Sequence, residues 1–205
     1  MDTSKAHQPI NQSRRLVSTA AISIAAAVAA MGALLAVSGD RAASAPSGAR
    51  APSAQDKYTV RVPNGLAFSE FRGFEDWATI SVSQAGDLIE VILGNPTIIK
   101  ALKAGVPDNG KAFPDGSKMA KIHWKKKQSA EAPDPTIVPD TLHDVDFMVR
   151  DSKRFSKTGG WGWAQFDYDN ATQTFKPYGT GVDCGFTCHT IVAKKDYVFT
   201  AYGKR

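Results

Sequence analysis

The two cysteines of this chain both fall in one short motif, Cys184-Gly185-Phe186-Thr187-Cys188-His189. No other feature constrains the fold as much. A disulfide is one reading, since an exported chain with two cysteines often forms one. Closing so short a loop, however, restricts little of the unfolded chain. A zinc site is a second reading, but structural zinc generally takes four ligands. A third is haem attachment. Two thiols add to the two vinyl groups of haem, and a histidine directly after the second cysteine binds the iron from one side. The usual signature has two residues between the cysteines; this chain has three.

The compartment follows from the N-terminus. Arg14 and Arg15 precede an uncharged, mostly apolar run from Leu16 to Gly39, which Asp40 ends. A positive flank before such a run is a secretory leader, and the small-residue stretch Ala43-Ser44-Ala45 follows it. The run is also long enough to span a bilayer, so an uncleaved anchor is the alternative, and only that reading involves a membrane. Residues 1–45 are therefore expected to be a signal peptide or anchor, 46–55 a flexible linker rich in Ala, Ser, Pro and Gly, and 56–205 one folded, periplasmic domain. Hydrophobic residues make up 42% of the 205 and charged residues 22%, a balance that suits a packed core. The net charge of +5 supports no nucleic-acid partner, and Lys125 to Lys127 reads as a solvated strand end.

Periodicity then gives the fold class. Strands are expected at Tyr58 to Val62, Thr79 to Ser83, Asp87 to Leu93, Ser117 to Lys125, His143 to Arg150 and Trp161 to Tyr168. Asn64 to Trp77 has near-helical apolar spacing, interrupted by Gly65 and Gly73. Asn95-Pro96 opens a short helix, with an N-cap residue followed by proline at the first helical position, and Ile98, Ile99 and Leu102 form its apolar stripe. A proline-rich loop is expected over Ala132 to Pro139, and a helical turn capped by Asp151 or Ser152 over Asp151 to Lys157. Alternation puts Met119, Lys121 and His123 on one face of their strand, with Ala120, Ile122 and Trp124 on the other. It likewise separates Asp144, Asp146 and Met148 from Val145, Phe147 and Val149. The pattern predicts an α+β domain: a mainly antiparallel sheet with a few short helices.

Four stretches together resemble one family. They are Phe113-Pro114-Asp115-Gly116 with the strand after it, Val149 to Phe155, the motif at Cys184 to His189, and Asp196-Tyr197-Val198-Phe199-Thr200. Their order and spacing are similar to those of the cytochrome P-460 family and the related cytochromes c-prime-beta, over most of the chain from Tyr58. The resemblance implies one covalent haem c at one side of the sheet, attached at Cys184 and Cys188, with His189 on an iron whose far face is open. It also implies a homodimer and a separate redox partner protein. Members with an additional lysine–haem crosslink oxidise hydroxylamine to nitrogen oxides. Lys121 matches that lysine, and Lys118 falls on the opposite face. Asp146 matches a distal carboxylate that is Glu in the family, placed to take protons from the substrate. The alternative function is a cytochrome that binds nitric oxide or carries electrons without turnover.

Other residues carry more ordinary readings. The alternative reading of Lys121 is a solvated strand lysine, and that of Asp146 a hydrogen-bonded structural carboxylate. His123 and His143 are read as hydrogen-bonded strand histidines in preference to second iron ligands. Trp161 and Trp163 are read as core or pocket wall, and Met119 and Met148 as lining for an apolar pocket.

Overall fold

The computed structural model describes residues 54–63, 65–179 and 182–205, without the side chains of residues 182–184. The expected leader and the linker up to residue 53 lie outside the described residues. No helix among the described residues is long and apolar enough to cross a membrane.

Six antiparallel strands follow one another in a simple meander, each hydrogen-bonded to the next in sequence. They are β1 (Ala78–Ala85), β2 (Leu88–Gly94), β3 (Lys118–Gln128), β4 (Ile137–Arg150), β5 (Trp161–Asp169) and β6 (Thr174–Tyr178). Among the described residues one α-helix, α1 (Pro96–Lys103), interrupts the meander between β2 and β3, and another, α2 (Val182–His189), follows β6. The α+β architecture expected from periodicity is the one observed. Helix α1 forms as its sequence dictates: the Asn95 side chain accepts the Ile98 N–H at 3.1 Å, and Pro96 occupies the first turn.

The strand pleat splits the sheet into two faces with different chemistry. On the back, Val145, Phe147 and Val149 of β4 join Ala120 of β3 and Phe166 of β5 in a buried cluster. Phe68, Phe71 and Phe74 from the N-terminal segment cover it, with Phe71 stacked on Phe147 at 4.1 Å between ring centroids. On the front, Ile98, Ile99 and Leu102 of α1 pack with Met119, Met148, Phe113, Trp161 and Trp163. The front rows are set by register. Ile92, Lys121, Asp146, Gln165 and Tyr178 lie side by side across β2 to β6, and Glu90, His123, Asp144 and Asp167 form the next row.

Several local expectations need correction. Tyr58 to Val62 is not a strand. Asp56 accepts the Tyr58 N–H and starts a short 3-10 turn at Lys57–Thr59, and only an Arg61–Ala67 bridge follows. The near-helical stretch up to Trp77 is two 3-10 turns, Phe68–Phe71 and Phe74–Asp76, because Gly73 between them adopts φ +75°. Its apolar spacing serves a cap over the back face instead of a continuous helix. The proline-rich loop ends early: β4 begins at Ile137, and Pro139 pairs with Lys126 inside the ladder. Asp151 does cap, accepting backbone N–H groups of Lys153 and Arg154, but the regular turn it precedes is Ser156–Thr158. The strand β6 was not foreseen from the sequence.

Candidate functional site

A cavity of about 370 Å³ lies between the front face of the sheet and the segment formed by α2 and the chain after it. That volume is within the range of small-molecule pockets, about 300–1,000 Å³. Met119, Met148 and Trp163 give it apolar walls, as expected for these residues. Lys121 and Asp146 also line it, from neighbouring strands, and Cys188 and His189 line it from α2. Four of the five sequence-predicted site residues thus meet at one cavity. The fifth, Cys184, belongs to α2, but its side chain lies outside the described residues. Cys188 is a free, exposed thiol, which leaves the disulfide reading without support.

Helix α2 is brought close by Gly185. A Cβ there would lie 2.2 Å from Cγ of Trp163 on β5, so any larger residue would push the helix off the sheet. His189 ends this helix between two aromatic rings, Trp163 at 5.4 Å and Phe199 at 5.0 Å. Its Nδ1 donates to the Tyr197 carbonyl at 2.6 Å, which assigns the proton to Nδ1 and leaves the Nε2 lone pair for a metal. Burial holds its pKa below the usual histidine range, and the charge of Lys121 adds to this, against the pull of the Tyr197 carbonyl. A neutral imidazole is what an iron ligand requires.

The carbonyl is aimed by unusual backbone. Asp196 and Tyr197 have φ of 48° and 64°, in the left-handed region that non-glycine residues occupy only at a cost of about 1–3 kcal/mol each. The Asp196 carboxylate holds this turn. It accepts from the Phe113 N–H at 2.7 Å and from Arg150 at 2.9 Å. Three of the sequence stretches, around Phe113, Arg150 and Asp196, are thus joined at the turn that carries the His189 acceptor.

On the sheet wall, Asp146 keeps 38% of its side-chain surface, facing the cavity it lines. Its Oδ1 is buried and has no hydrogen-bond partner. Loss of hydration, with the charges of Asp144 and Glu90 nearby, pushes its pKa up to about 7, while His123 and Lys121 pull the other way. A carboxyl group poised there can take or return a proton at neutral pH. Lys121 Nζ is 3.0 Å from Glu90 Oε1, so it is not simply a solvated strand lysine. Lys118 is on the back of the sheet, donating to the Glu70 carbonyl at 2.5 Å.

Sequence reasoning missed the row beside this one. Glu90, His123 and Asp144 are all buried and bonded together, and His143 bonds to the far oxygen of Asp144. Both strand histidines are therefore engaged with carboxylates, as hydrogen-bonded histidines would be. Ligand atoms of His123, Asp144 and Asp146 lie within 4.8 Å of one another, a spacing that also suits a cation. Burial opposes the imidazolium of His123, but the bond and charge of Asp144 outweigh it and raise its pKa.

An imidazole held toward its neutral form and a free thiol at the rim of a largely apolar cavity are groups that could hold a metal-bearing organic cofactor. The family model of Cytochrome P460 matches residues 71–200, and the chain belongs to that family. It is a c-type haem protein. Comparison with curated proteins finds no match. The residues present fit haem: Met119, Met148 and Trp163 make much of the cavity wall apolar, His189 keeps its Nε2 for a metal, and Asp146 lines the same cavity with one buried oxygen, Oδ1, that has no hydrogen-bond partner.

Proposed function

We propose that this chain is an exported c-type cytochrome that oxidises hydroxylamine, with one haem attached covalently at Cys184 and Cys188 and held by His189. The carrying observation is Asp146 on the cavity wall, whose buried Oδ1 has no hydrogen-bond partner and whose pKa burial pushes up to about 7. When bound, the haem supplies an iron that accepts electrons from the substrate nitrogen. The protein's part is to hold His189 neutral and fixed, to keep water out with Met119, Met148 and Trp163, and to accept protons at Asp146. Oxidation of hydroxylamine to nitrous oxide and water releases protons and electrons in equal number, so a base beside the substrate is a chemical need. Asp146 serves as that base and returns its proton to solvent between turnovers. A carrier of electrons or nitric oxide has no use for a base there, which favours turnover over the carrier reading. Lys121 lines the same wall, which supports it as the residue of the additional haem link. A separate redox protein would collect the electrons, and a homodimer is the proposed assembly. Export rests on residues 1–45.

The test is steady-state hydroxylamine oxidation by the haem-loaded protein with an artificial electron acceptor, beside absorption spectra of the oxidised and reduced forms. Turnover with a red-shifted Soret band on reduction supports the crosslinked enzyme. No turnover and an ordinary c-type spectrum would replace it with the nitric oxide or electron-carrier reading. Attachment is tested separately. The mass under denaturing conditions should include haem in the wild type and lack it when both Cys184 and Cys188 are changed to Ala.

A further inference from the structure

Behind the cavity wall is a charged group that this reading leaves without a task. His123 is 6% exposed. Its Nε2 is 3.2 Å from Glu90 Oε1, and its Nδ1 bonds to Asp144 Oδ1. Glu90 is itself held by Ser83 Oγ at 2.8 Å and by Lys121 Nζ at 3.0 Å. Only the doubly protonated ring has a donor at each nitrogen, so two carboxylates select the imidazolium and stop the ring from turning. The cation so fixed has its Nδ1 4.0 Å from Asp146 Oδ2.

We infer that His123 is a positioning residue for Asp146: clamped between Glu90 and Asp144, it is a fixed cation that stabilises the ionised carboxylate on the cavity wall, while Asp144 acts on the same group with opposite sign. The inference deepens the proposed function and rests on Asp146 as its proton acceptor. Without a cation in the row, the carboxylates of Glu90, Asp144 and Asp146 would crowd one side of the sheet. Like charges that close cannot all ionise, and the one at the dry cavity wall would keep its proton. A carboxyl group that stays protonated is no base. The groups facing Asp146 fall into two sets. Lys121 on β3 works with His123. Glu90 on β2 and Asp144 on β4 work against it, and Asp167 on β5 stands beside them as the register partner of Asp144. Asp144 is in turn moderated by His143 at its second oxygen, and Asp167 by the Gln165 side chain at 3.2 Å.

Infrared spectra of the haem-loaded full chain, titrated with pH, would test this. The difference between wild type and Asp146→Asn assigns the Asp146 carboxyl band. His123→Gln should raise the midpoint of that band by about one unit, and His123→Arg should keep it near the wild-type position. The acid limb of the turnover profile should move with the midpoint. A merely structural role would lower activity at every pH and leave the limb in place. A midpoint unmoved in His123→Gln overturns the inference. Should that variant not fold, the smaller His123→Asn decides, and a midpoint that stays or falls overturns it. Midpoints that move as expected in a protein with no hydroxylamine turnover would keep the positioning role and remove the proposed substrate.

Discussion

Neighbouring residues of β4 do opposite work. Val145, Phe147 and Val149 lie in a dry aromatic cluster, where every side chain is apolar and the rings of Phe68, Phe71 and Phe74 close around Phe147. Asp144, Asp146 and Met148 point to the other side, into charge and open volume. The back face is a self-sufficient core. The front face holds an unpartnered carboxyl oxygen, an ion-paired lysine beside a cavity and a buried imidazolium, all of which are expensive to keep. The sheet can carry such a face because the aromatic cluster behind it supplies the stability. The comparison separates residues that hold the fold from residues that serve chemistry, at a resolution of one position along a strand.

Single substitutions on the two faces should have different consequences. The largest effect is expected at Asp146→Ala, which should cut hydroxylamine turnover by roughly 10²–10⁴-fold with haem content unchanged. Asp146→Glu, which restores the family's residue, should keep activity. If Asp146→Ala turns over like the wild type, the front face is not where the proton goes. One residue along, Phe147→Ala removes the centre of the aromatic cluster. It should lower the unfolding free energy by about 3–5 kcal/mol in chemical denaturation, and any haem bound at residual fold should keep its spectrum. A small loss there would mean that the back face is not the main core.

Gly185→Ala tests the junction of the two functions. The added methyl has no room beside Trp163, so α2 must shift, costing about 1–3 kcal/mol and altering the iron's absorption through His189. A wild-type spectrum in this variant would show that the helix is not held as closely as described.

Smaller effects concern charge. The folded-state pKa of Asp146 is about 7, above the ordinary 3.8, so the native state binds this proton more tightly than the unfolded chain does. Protonation therefore stabilises the fold. Stability falls as pH rises between those two values, and the full penalty is present above 7. Asp146→Asn should remove that dependence and stabilise the protein at pH 8 by about 1 kcal/mol, a figure reduced for the solvent that reaches a partly exposed side chain. Equal stability curves for the two proteins from pH 4 to pH 8 would contradict the raised pKa. The smallest effect is expected at Lys118→Met. Its ammonium sits over the Phe71 ring on the back of the sheet, so its loss should cost less than about 1 kcal/mol and leave the spectrum unchanged. A lost red shift in this variant would move the haem link from Lys121 to Lys118.

Alternation along single strands was enough to place Lys121 and Asp146 on one face and Lys118 on the other, because the pleat is a property of the local backbone. Helix α1 was equally legible, since Asn95 and Pro96 act on their own first turn. The haem motif needed nothing beyond its own six residues, and family membership bears out that reading at the level of a c-type haem protein. What lay beyond the sequence depends on partners distant in the chain. The Glu90–His123–Asp144 row exists because β2, β3 and β4 pair in one particular register, and alternation says which face a residue takes without saying what stands beside it. Strand β6 is a short edge strand containing Pro177, with little periodicity of its own; pairing with β5 makes it a strand. The bond that orients His189 ends on a backbone carbonyl, which every residue has and no motif announces. Its aim comes from two left-handed residues held by Arg150 and the Phe113 turn. Local chemistry thus determined which groups this protein carries, and long-range packing alone decided how they are aimed and charged.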